Sequence, residues 1–99
     1  MRESDIQAAI LQYLAMRRHF HFRCNTGAYK TEHGSFIRFG SKGAADIFVC
    51  AKGMMIGIEI KTASGKLSED QEAFGQALKA AGGIYIVARS IDDVVALGL

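Results

Sequence analysis

The chain has 99 residues, of which 49% are hydrophobic and 22% are charged, and its net charge is +2. This length suits one domain spanning residues 1–99, and the small basic excess permits a polyanionic partner without requiring one. No apolar run reaches the roughly 18 residues of a membrane span. Acids stand at positions 3 and 5, where a secretory signal would be basic. The composition therefore predicts a cytoplasmic protein with no membrane contact.

A helix is predicted first, because apolar residues recur at helical spacing and Ser4 with Gln7 forms a capping-box pattern. A half-buried strand should follow, in which Phe20, Phe22 and Cys24 alternate with polar residues. The apolar positions of the helix are Ile6, Ala9, Ile10, Tyr13 and Leu14.

The next segment, 27–34, has turn residues at both ends and is predicted to be an exposed loop. It leads into a short strand at 35–39. Two apolar runs then follow, at 47–51 and 54–58, and only Lys52 and Gly53 separate them. Such a two-residue break is typical of a tight β-hairpin.

The hairpin fixes a register that brings two acids together. If Ala51 faces Met54, then Asp46 faces Glu59 on the neighbouring strand. Directly opposed side chains on an antiparallel pair have Cβ atoms about 4.5–5.5 Å apart, so like charges there repel. A divalent cation between the two carboxylates would remove the conflict. Lys61 lies two residues beyond Glu59 and therefore projects from the same face.

The opposite face of the hairpin is apolar throughout, which predicts that it packs on the core. Gly43 and Gly57 leave room near the acids, and a glycine inside a strand indicates a close approach to the backbone. The apolar residues of that face are Ile47, Val49, Ala51, Met54, Ile56, Ile58 and Ile60.

After the hairpin, Ser68 and Gln71 begin a second capped helix, and glycines at 82 and 83 end it. Its predicted inner face is formed by Phe74, Ala77, Leu78 and Ala81. The apolar run 84–88 then forms a strand parallel to that of Glu59, because a helical crossover connects them. A short helix follows, capped by Ser90 with Asp93. The predicted fold is α/β, a small mixed β-sheet flanked by helices in the order α-β-β-β-α-β-α.

These residues and this order resemble the PD-(D/E)xK nuclease superfamily, and most closely its small stand-alone VRR-NUC domains. The resemblance covers nearly the whole chain. It depends on Glu3 in the first helix, the run from Gly43 to Asp46, the tripeptide from Glu59 to Lys61, and Gln71 in the second helix. One residue departs from the superfamily pattern, because Ala45 stands where a proline usually precedes the Asp.

The resemblance implies a restriction-endonuclease-like core and a Mg²⁺- or Mn²⁺-dependent endonuclease that hydrolyses DNA, with no organic cofactor. In that family the metal is held by residues matching Asp46, Glu59 and the backbone carbonyl of Ile60. Lys61 would then assist the attacking water. Glu3, acting on the metal through a water, and Gln71 would complete the catalytic set.

The loops before Asp46 carry aromatic and basic residues that suggest a nucleic-acid contact surface. The alternative is an ordinary solvated hairpin. The candidates are Tyr29, Lys30, His33, Arg38 and Lys42.

The expected substrate is branched or four-way-junction DNA, cut by a homodimer, because one acid cluster addresses one phosphodiester at a time. Two apolar surfaces could form the dimer contact. Two alternatives remain open within the same fold, a nucleic-acid-binding module with little turnover and a nicking nuclease without junction preference. A structural protein with no nucleic-acid partner is the third class. The candidate dimer residues are Phe36, Phe39, Val94, Val95, Leu97 and Leu99.

The histidines and cysteines are not expected to form a metal site or a disulfide. His19 and His21 share a strand face and could bind zinc, but two ligands without a third favour a solvated face. Cys24 and Cys50 sit in apolar strand patterns and are predicted to be small buried hydrophobes.

Overall fold

The computed structural model describes residues 1–24, 27–39 and 41–99, with the backbone alone described at 27–30 and 36–39. Within these ranges none of the helices has the length and apolar character needed to cross a membrane. The helices are α1 (Glu3–Met16), α2 (Glu69–Ala80) and α3 (Ile91–Val95). The strands are β1 (Phe20–Arg23), β2 (Gly27–Lys30), β3 (Phe36–Phe39), β4 (Ile47–Ala51), β5 (Met54–Ile60) and β6 (Ile84–Ala88).

A four-stranded mixed sheet in the order β1-β4-β5-β6 forms the centre of the molecule. The pairs β1–β4 and β4–β5 are antiparallel, while β6 joins β5 in parallel after the crossover through α2. With its three helices, this sheet has the predicted order α-β-β-β-α-β-α. The predicted fold class is confirmed.

The strands β2 and β3 form a separate antiparallel hairpin, so the prediction of a loop over 27–34 is wrong at its first half. The turn lies at 31–35, where Thr31 exchanges backbone hydrogen bonds with Gly34 and Ser35. Gly34 takes a φ of +84°, a conformation that glycine adopts without strain. Gly27 is not a turn residue, because it pairs with Phe39 as the first residue of a strand.

The central hairpin has the predicted register. Lys52 and Gly53 both have positive φ, at 53° and 75°, which matches the twist of the two flanking strands. Ala51 therefore pairs with Met54, and Phe48 pairs with Gly57. A shift of one residue would move every apolar side chain of β5 to the opposite face.

Two apolar clusters cover the two faces of the sheet. The larger one packs α1 and α3 against alternate residues of β4 and β5, with Ile10, Leu14 and Ile58 completely buried. The smaller one packs α2 against Ala45, Phe48 and Tyr85. The predicted inner face of α2 is correct at Phe74 and Leu78, whereas Ala77 and Ala81 are exposed.

Strand β1 lies at the edge of the sheet that α2 does not cover. Its apolar face was predicted to be buried, but Phe20 is 71% exposed and Phe22 is 48% exposed. Cys50, the partner of Phe20 in the register, is exposed as well, while Cys24 is half-buried. The prediction of a buried cysteine is therefore wrong for Cys50.

The C-terminal residues predicted as a dimer surface divide between core and exterior. Val94 and Leu99 are buried in the larger cluster, so neither offers a surface to a second chain. Val95 and Leu97 are exposed. The side chains of Phe36 and Phe39 lie outside the described part of the structure.

The helix starts agree only partly with the sequence patterns. The start of α1 is at Glu3, where the Asp5 carboxylate accepts from the Arg2 backbone N–H, so the predicted cap at Ser4 is wrong. For α2 the predicted capping box is confirmed. The Ser68 hydroxyl accepts a hydrogen bond from the Gln71 backbone N–H. In return, the Gln71 side-chain oxygen accepts one from the Ser68 backbone N–H.

Gly43 has no space for a side chain, because the loop before β4 packs on the first turn of α2. A Cβ atom there would clash with the backbone carbonyl of Asp70 and lie 3.0 Å from the Gln71 nitrogen. Its φ is also +77°. Gly57 is close to its neighbours too, since a Cβ would lie 3.0 Å from Leu78 and 3.2 Å from Ala45. Packing of α2 therefore explains both glycines.

Gly43→Ala should destabilise the protein more than Gly53→Ala does. Both residues have a positive φ near +76°, so each substitution should cost about 1–2 kcal/mol of backbone strain. Only Gly43 contacts a backbone, and overpacking there should add about 1–3 kcal/mol. Urea denaturation of the two variants measures the difference. Equal losses would show that the loop can move away from α2 at no cost.

Candidate active site

Two carboxyl groups meet at the end of the central hairpin, as its register predicts. Asp46 immediately precedes β4, and Glu59 is the penultimate residue of β5. The Asp46 Oδ2 atom accepts a hydrogen bond of 2.8 Å from the backbone N–H of Ile60. The two side chains are close enough for Asp46 to raise the pKa of Glu59. Asp46 is half-buried, whereas Glu59 is only 2% exposed.

Helix α2 covers the acids and contributes Gln71. The Gln71 Nε2 atom donates to Glu59 Oε2 at 3.2 Å, while its Oε1 atom accepts from the Ser68 backbone N–H at 2.9 Å. The same side chain therefore caps the helix and holds the carboxyl group. Glu59 Oε1 is buried and has no hydrogen-bond partner among the described residues.

The surroundings of Glu59 favour its neutral form. Burial raises the pKa of Glu59 from 4.5 to about 8, and the nearby Asp46 carboxylate adds to this. Lys61 opposes the shift, and Glu3 adds a smaller contribution in the same direction as Asp46. Two carboxyl groups this close share a proton more readily than they carry two charges.

Lys61 follows β5 and is half-buried, and its backbone N–H donates to the Ala88 carbonyl at 3.1 Å. Its charge acts on Glu59, but the ion pairs found in the described chain are Arg2–Asp5 and Lys42–Asp70. The loop after Lys61 is held by Arg89, whose guanidinium donates to the carbonyls of Thr62 and Gly65. Arg89 is not among the site residues predicted from the sequence.

The remaining predicted members of the metal site lie at its edge. Glu3 is exposed at the start of α1 and reaches the acids only through its charge. The Ile60 N–H points to Asp46, and because the N–H and C=O of one strand residue point to the same side, its carbonyl does too.

The predicted nucleic-acid contacts can be placed in part. His33 is exposed in the β2–β3 turn, and Lys42 is exposed and forms a 3.5 Å ion pair with Asp70 of α2. The side chains of Tyr29, Lys30 and Arg38 lie outside the described part of the structure. All three residues belong to the paired strands β2 and β3.

The histidines are held by backbone carbonyls and are not simply solvated. His19 Nε2 lies 2.7 Å from the Leu99 carbonyl oxygen, and His21 Nδ1 lies 2.8 Å from that of His19. The residues that the structure describes contain no group of three or more His, Cys, Asp or Glu side chains arranged to hold a metal. Any cation at the acid pair would therefore rely on two carboxylates, backbone oxygen and water.

Tyr85 is a further neighbour of the acids that the sequence analysis missed. It is 9% exposed, and its hydroxyl is buried without a partner in the described structure. Burial together with the charges of Glu59 and Asp46 raises its pKa to about 12. The parallel register pairs Tyr85 with Gly57, so both lie on the Glu59 face of the sheet. The predicted crossover implied only that β6 runs parallel to β5, and the register itself comes from the structure.

Comparison with known proteins adds no identification. Neither the models of known protein families nor the curated proteins include a match to this sequence.

The Glu59→Gln variant should change how stability depends on pH. Between pH 4.5 and about 8 the folded protein keeps the Glu59 proton that the unfolded chain has released. The free energy of unfolding should therefore fall as pH rises through this window. Glu59→Gln removes this contribution, so its stability relative to wild type should increase from pH 5 to pH 8. Urea denaturation in EDTA measures both profiles.

Glu72→Gln is the matched control, because it removes an exposed glutamate from α2. Its profile should stay parallel to that of wild type. Parallel profiles for Glu59→Gln as well would contradict the raised pKa of Glu59.

Proposed function

We propose that this protein is a metal-dependent endonuclease that hydrolyses phosphodiester bonds in DNA, with Mg²⁺ or Mn²⁺ as its cofactor. The observation that carries the proposal is the burial of Glu59 against Asp46, with Lys61 beside them. An acid pair taken out of water opposes folding unless something compensates its charge. Carboxyl groups with strongly shifted pKa values are typical of functional sites.

The oxygen atoms at this position fit a hard divalent cation. Asp46 and Glu59 supply carboxylates, and Glu59 Oε1 lacks a donor among the described residues and can serve as a ligand. The Ile60 carbonyl faces the same side. Mg²⁺ commonly uses one or two carboxylates and keeps several waters, so two acids are enough. A bound cation of this kind lowers the pKa of a coordinated water and neutralises charge on a phosphate.

The protein's own groups have separate roles in this proposal. Gln71 fixes the orientation of Glu59 through its hydrogen bond to Oε2. Asp46 is oriented by the Ile60 N–H. Lys61 places a positive charge next to the acids, where it can hold the attacking water or a phosphate oxygen. Arg89 restrains the loop that follows Lys61.

The β2–β3 hairpin is well positioned to contact the substrate. It is inserted between Cys24, whose N–H donates to the Asp46 carbonyl, and the loop that returns to Asp46. Both ends of the insertion therefore meet at the acid pair. Lys30, Arg38 and Lys42 belong to this insertion and could neutralise phosphates on either side of the cleaved bond.

The substrate that we favour is branched DNA cut by a homodimer. One acid pair can address a single phosphodiester, so incision of two strands requires a second copy. With Val94 and Leu99 in the core, the exposed Phe20 and Phe22 at the sheet edge are stronger candidates for the contact. The weakly catalytic binding module remains the second candidate, because only two acids face each other in the described structure.

Asp46→Asn, Glu59→Gln and Lys61→Ala should each reduce Mg²⁺-dependent cleavage by about 100-fold or more, the range expected for loss of a group that acts on the proton transfer or its charge. A panel of duplex, single-stranded, flapped and four-way DNA provides the substrates. Glu72→Gln and Lys66→Ala are matched controls, since they change exposed residues of the same type. Circular dichroism checks that every variant is folded.

Cleavage by Asp46→Asn at the wild-type rate would refute the assignment of the site. Binding of DNA by the wild-type protein without any cleavage across the panel would instead favour the binding module.

Replacing Lys30, Arg38 and Lys42 together by Ala should weaken DNA binding and flatten its salt dependence. Each lost phosphate contact should lower the slope of log K against log salt by about 0.9 for duplex DNA. Fluorescence anisotropy at several salt concentrations measures both quantities. The control variant replaces Arg18, Lys52 and Lys79 together by Ala. These changes remove the same amount of positive charge from other exposed positions. Equal losses in the two triple variants would mean that only net charge matters.

A further inference from the structure

Tyr85 is fixed in place by the helix that covers the acid pair. A Cβ atom on Gly75 would lie 2.7 Å from two ring carbons of Tyr85, so only a glycine lets α2 approach the ring this closely. The Phe74 ring lies beside it, with the ring centroids 6.3 Å apart. The hydroxyl oxygen therefore cannot change position without moving α2 or the sheet.

The same helix turn also orients Glu59. Gln71 and Gly75 are four residues apart and lie on one face of α2, so the Gln71 amide and the Tyr85 ring, which contacts Gly75, lie on the same side of the helix. On the sheet, Gly57 pairs with Tyr85 and Glu59 pairs with Val87. Because Gly57 has no side chain, it places no side-chain atoms between the Tyr85 ring and Glu59.

Two buried polar atoms in this region lack hydrogen-bond partners in the described structure, namely Tyr85 Oη and Glu59 Oε1. One is a donor and the other is an acceptor. A buried polar group left unsatisfied costs about 1–3 kcal/mol, so one water joining the two would relieve both.

We propose that Tyr85 is a positioning residue for the cation site, whose hydroxyl donates to the Glu59 carboxylate through one water. This inference rests on the proposed function, because it assigns a metal ligand role to Glu59. Gln71 and Tyr85 then hold the carboxylate from two directions, and Asp46 and the cation occupy the remaining side. Hydrogen bonds of this kind keep a ligand in one orientation, and their loss typically lowers metal affinity by about 10–100-fold.

The test is the affinity for Mn²⁺ alone, measured by calorimetry without nucleic acid. Tyr85→Phe keeps the ring on Gly75 and removes only the hydroxyl, so it should lower the affinity about tenfold. Tyr13→Phe is the matched control, because Tyr13 is half-buried against the other face of the sheet. Its Mn²⁺ affinity should equal that of wild type.

A second readout separates positioning from packing. In EDTA, the effect of Tyr85→Phe on the urea midpoint should differ between the wild-type and Glu59→Gln backgrounds, because the hydroxyl acts on that carboxyl group. A residue that only fills space would give the same effect in both.

The possible failures point to different conclusions. Mn²⁺ affinity of Tyr85→Phe within twofold of wild type, or additive effects in the two backgrounds, would overturn the role of Tyr85. Wild-type Mn²⁺ affinity in Glu59→Gln would instead overturn the metal site itself, and with it the proposed function.

Discussion

The register of the β4–β5 hairpin is the constraint on which the rest of the structure depends. The left-handed turn at Lys52 and Gly53 aligns the two strands so that the isoleucines of β5 enter the larger core. The same alignment sends Gly57 and Glu59 to the opposite face. Since side chains alternate along a strand, the core cannot form in this way without also directing Glu59 toward Asp46. The fold and the acid pair are therefore consequences of one pairing.

At the acid pair, the burial that favours a neutral Glu59 conflicts with the charge that the proposed function requires. Nearly complete burial of Glu59 favours its neutral form, and Asp46 strengthens that preference. The protein tolerates this because Gln71 and the Ile60 N–H donate hydrogen bonds to the two carboxyl groups. A divalent cation would reverse the preference, since it stabilises both ionised carboxylates. In our proposal the metal-free protein therefore carries a proton in place of a cation.

Helix α2 links this site to the rest of the molecule. Its first turn packs on Gly43, which positions the segment leading to Asp46, and the Gln71 side chain from that turn reaches Glu59. One turn later, Gly75 receives the ring of Tyr85. The helix thus contacts each element that carries a group of the acid site, except the N-terminal helix with Glu3. Small residues at 43, 57 and 75 make this close packing possible.

Much of the site could be predicted from the sequence, because the relevant interactions are local. The two-residue turn determined the register, the alternation along β5 placed Glu59 and Lys61 on one face, and the Ser68–Gln71 pattern determined the start of α2. Each of these depends on residues within about fifteen positions of one another. Local rules failed where two signals competed, as at the start of α1, where Asp5 determined the helix start in place of Ser4.

Other features were decided by the tertiary structure, because they depend on which surfaces are covered. The pattern of β1 indicated a buried face, but α2 packs over the other end of the sheet and leaves Phe20 exposed. Leu99 was predicted to lie on the surface, but it is buried because the larger apolar cluster packs around it. The burial of Glu59, its contact with Gln71 and the position of Tyr85 likewise depend on how α2 docks. Periodicity specifies the face on which a side chain lies, and only packing specifies what covers that face.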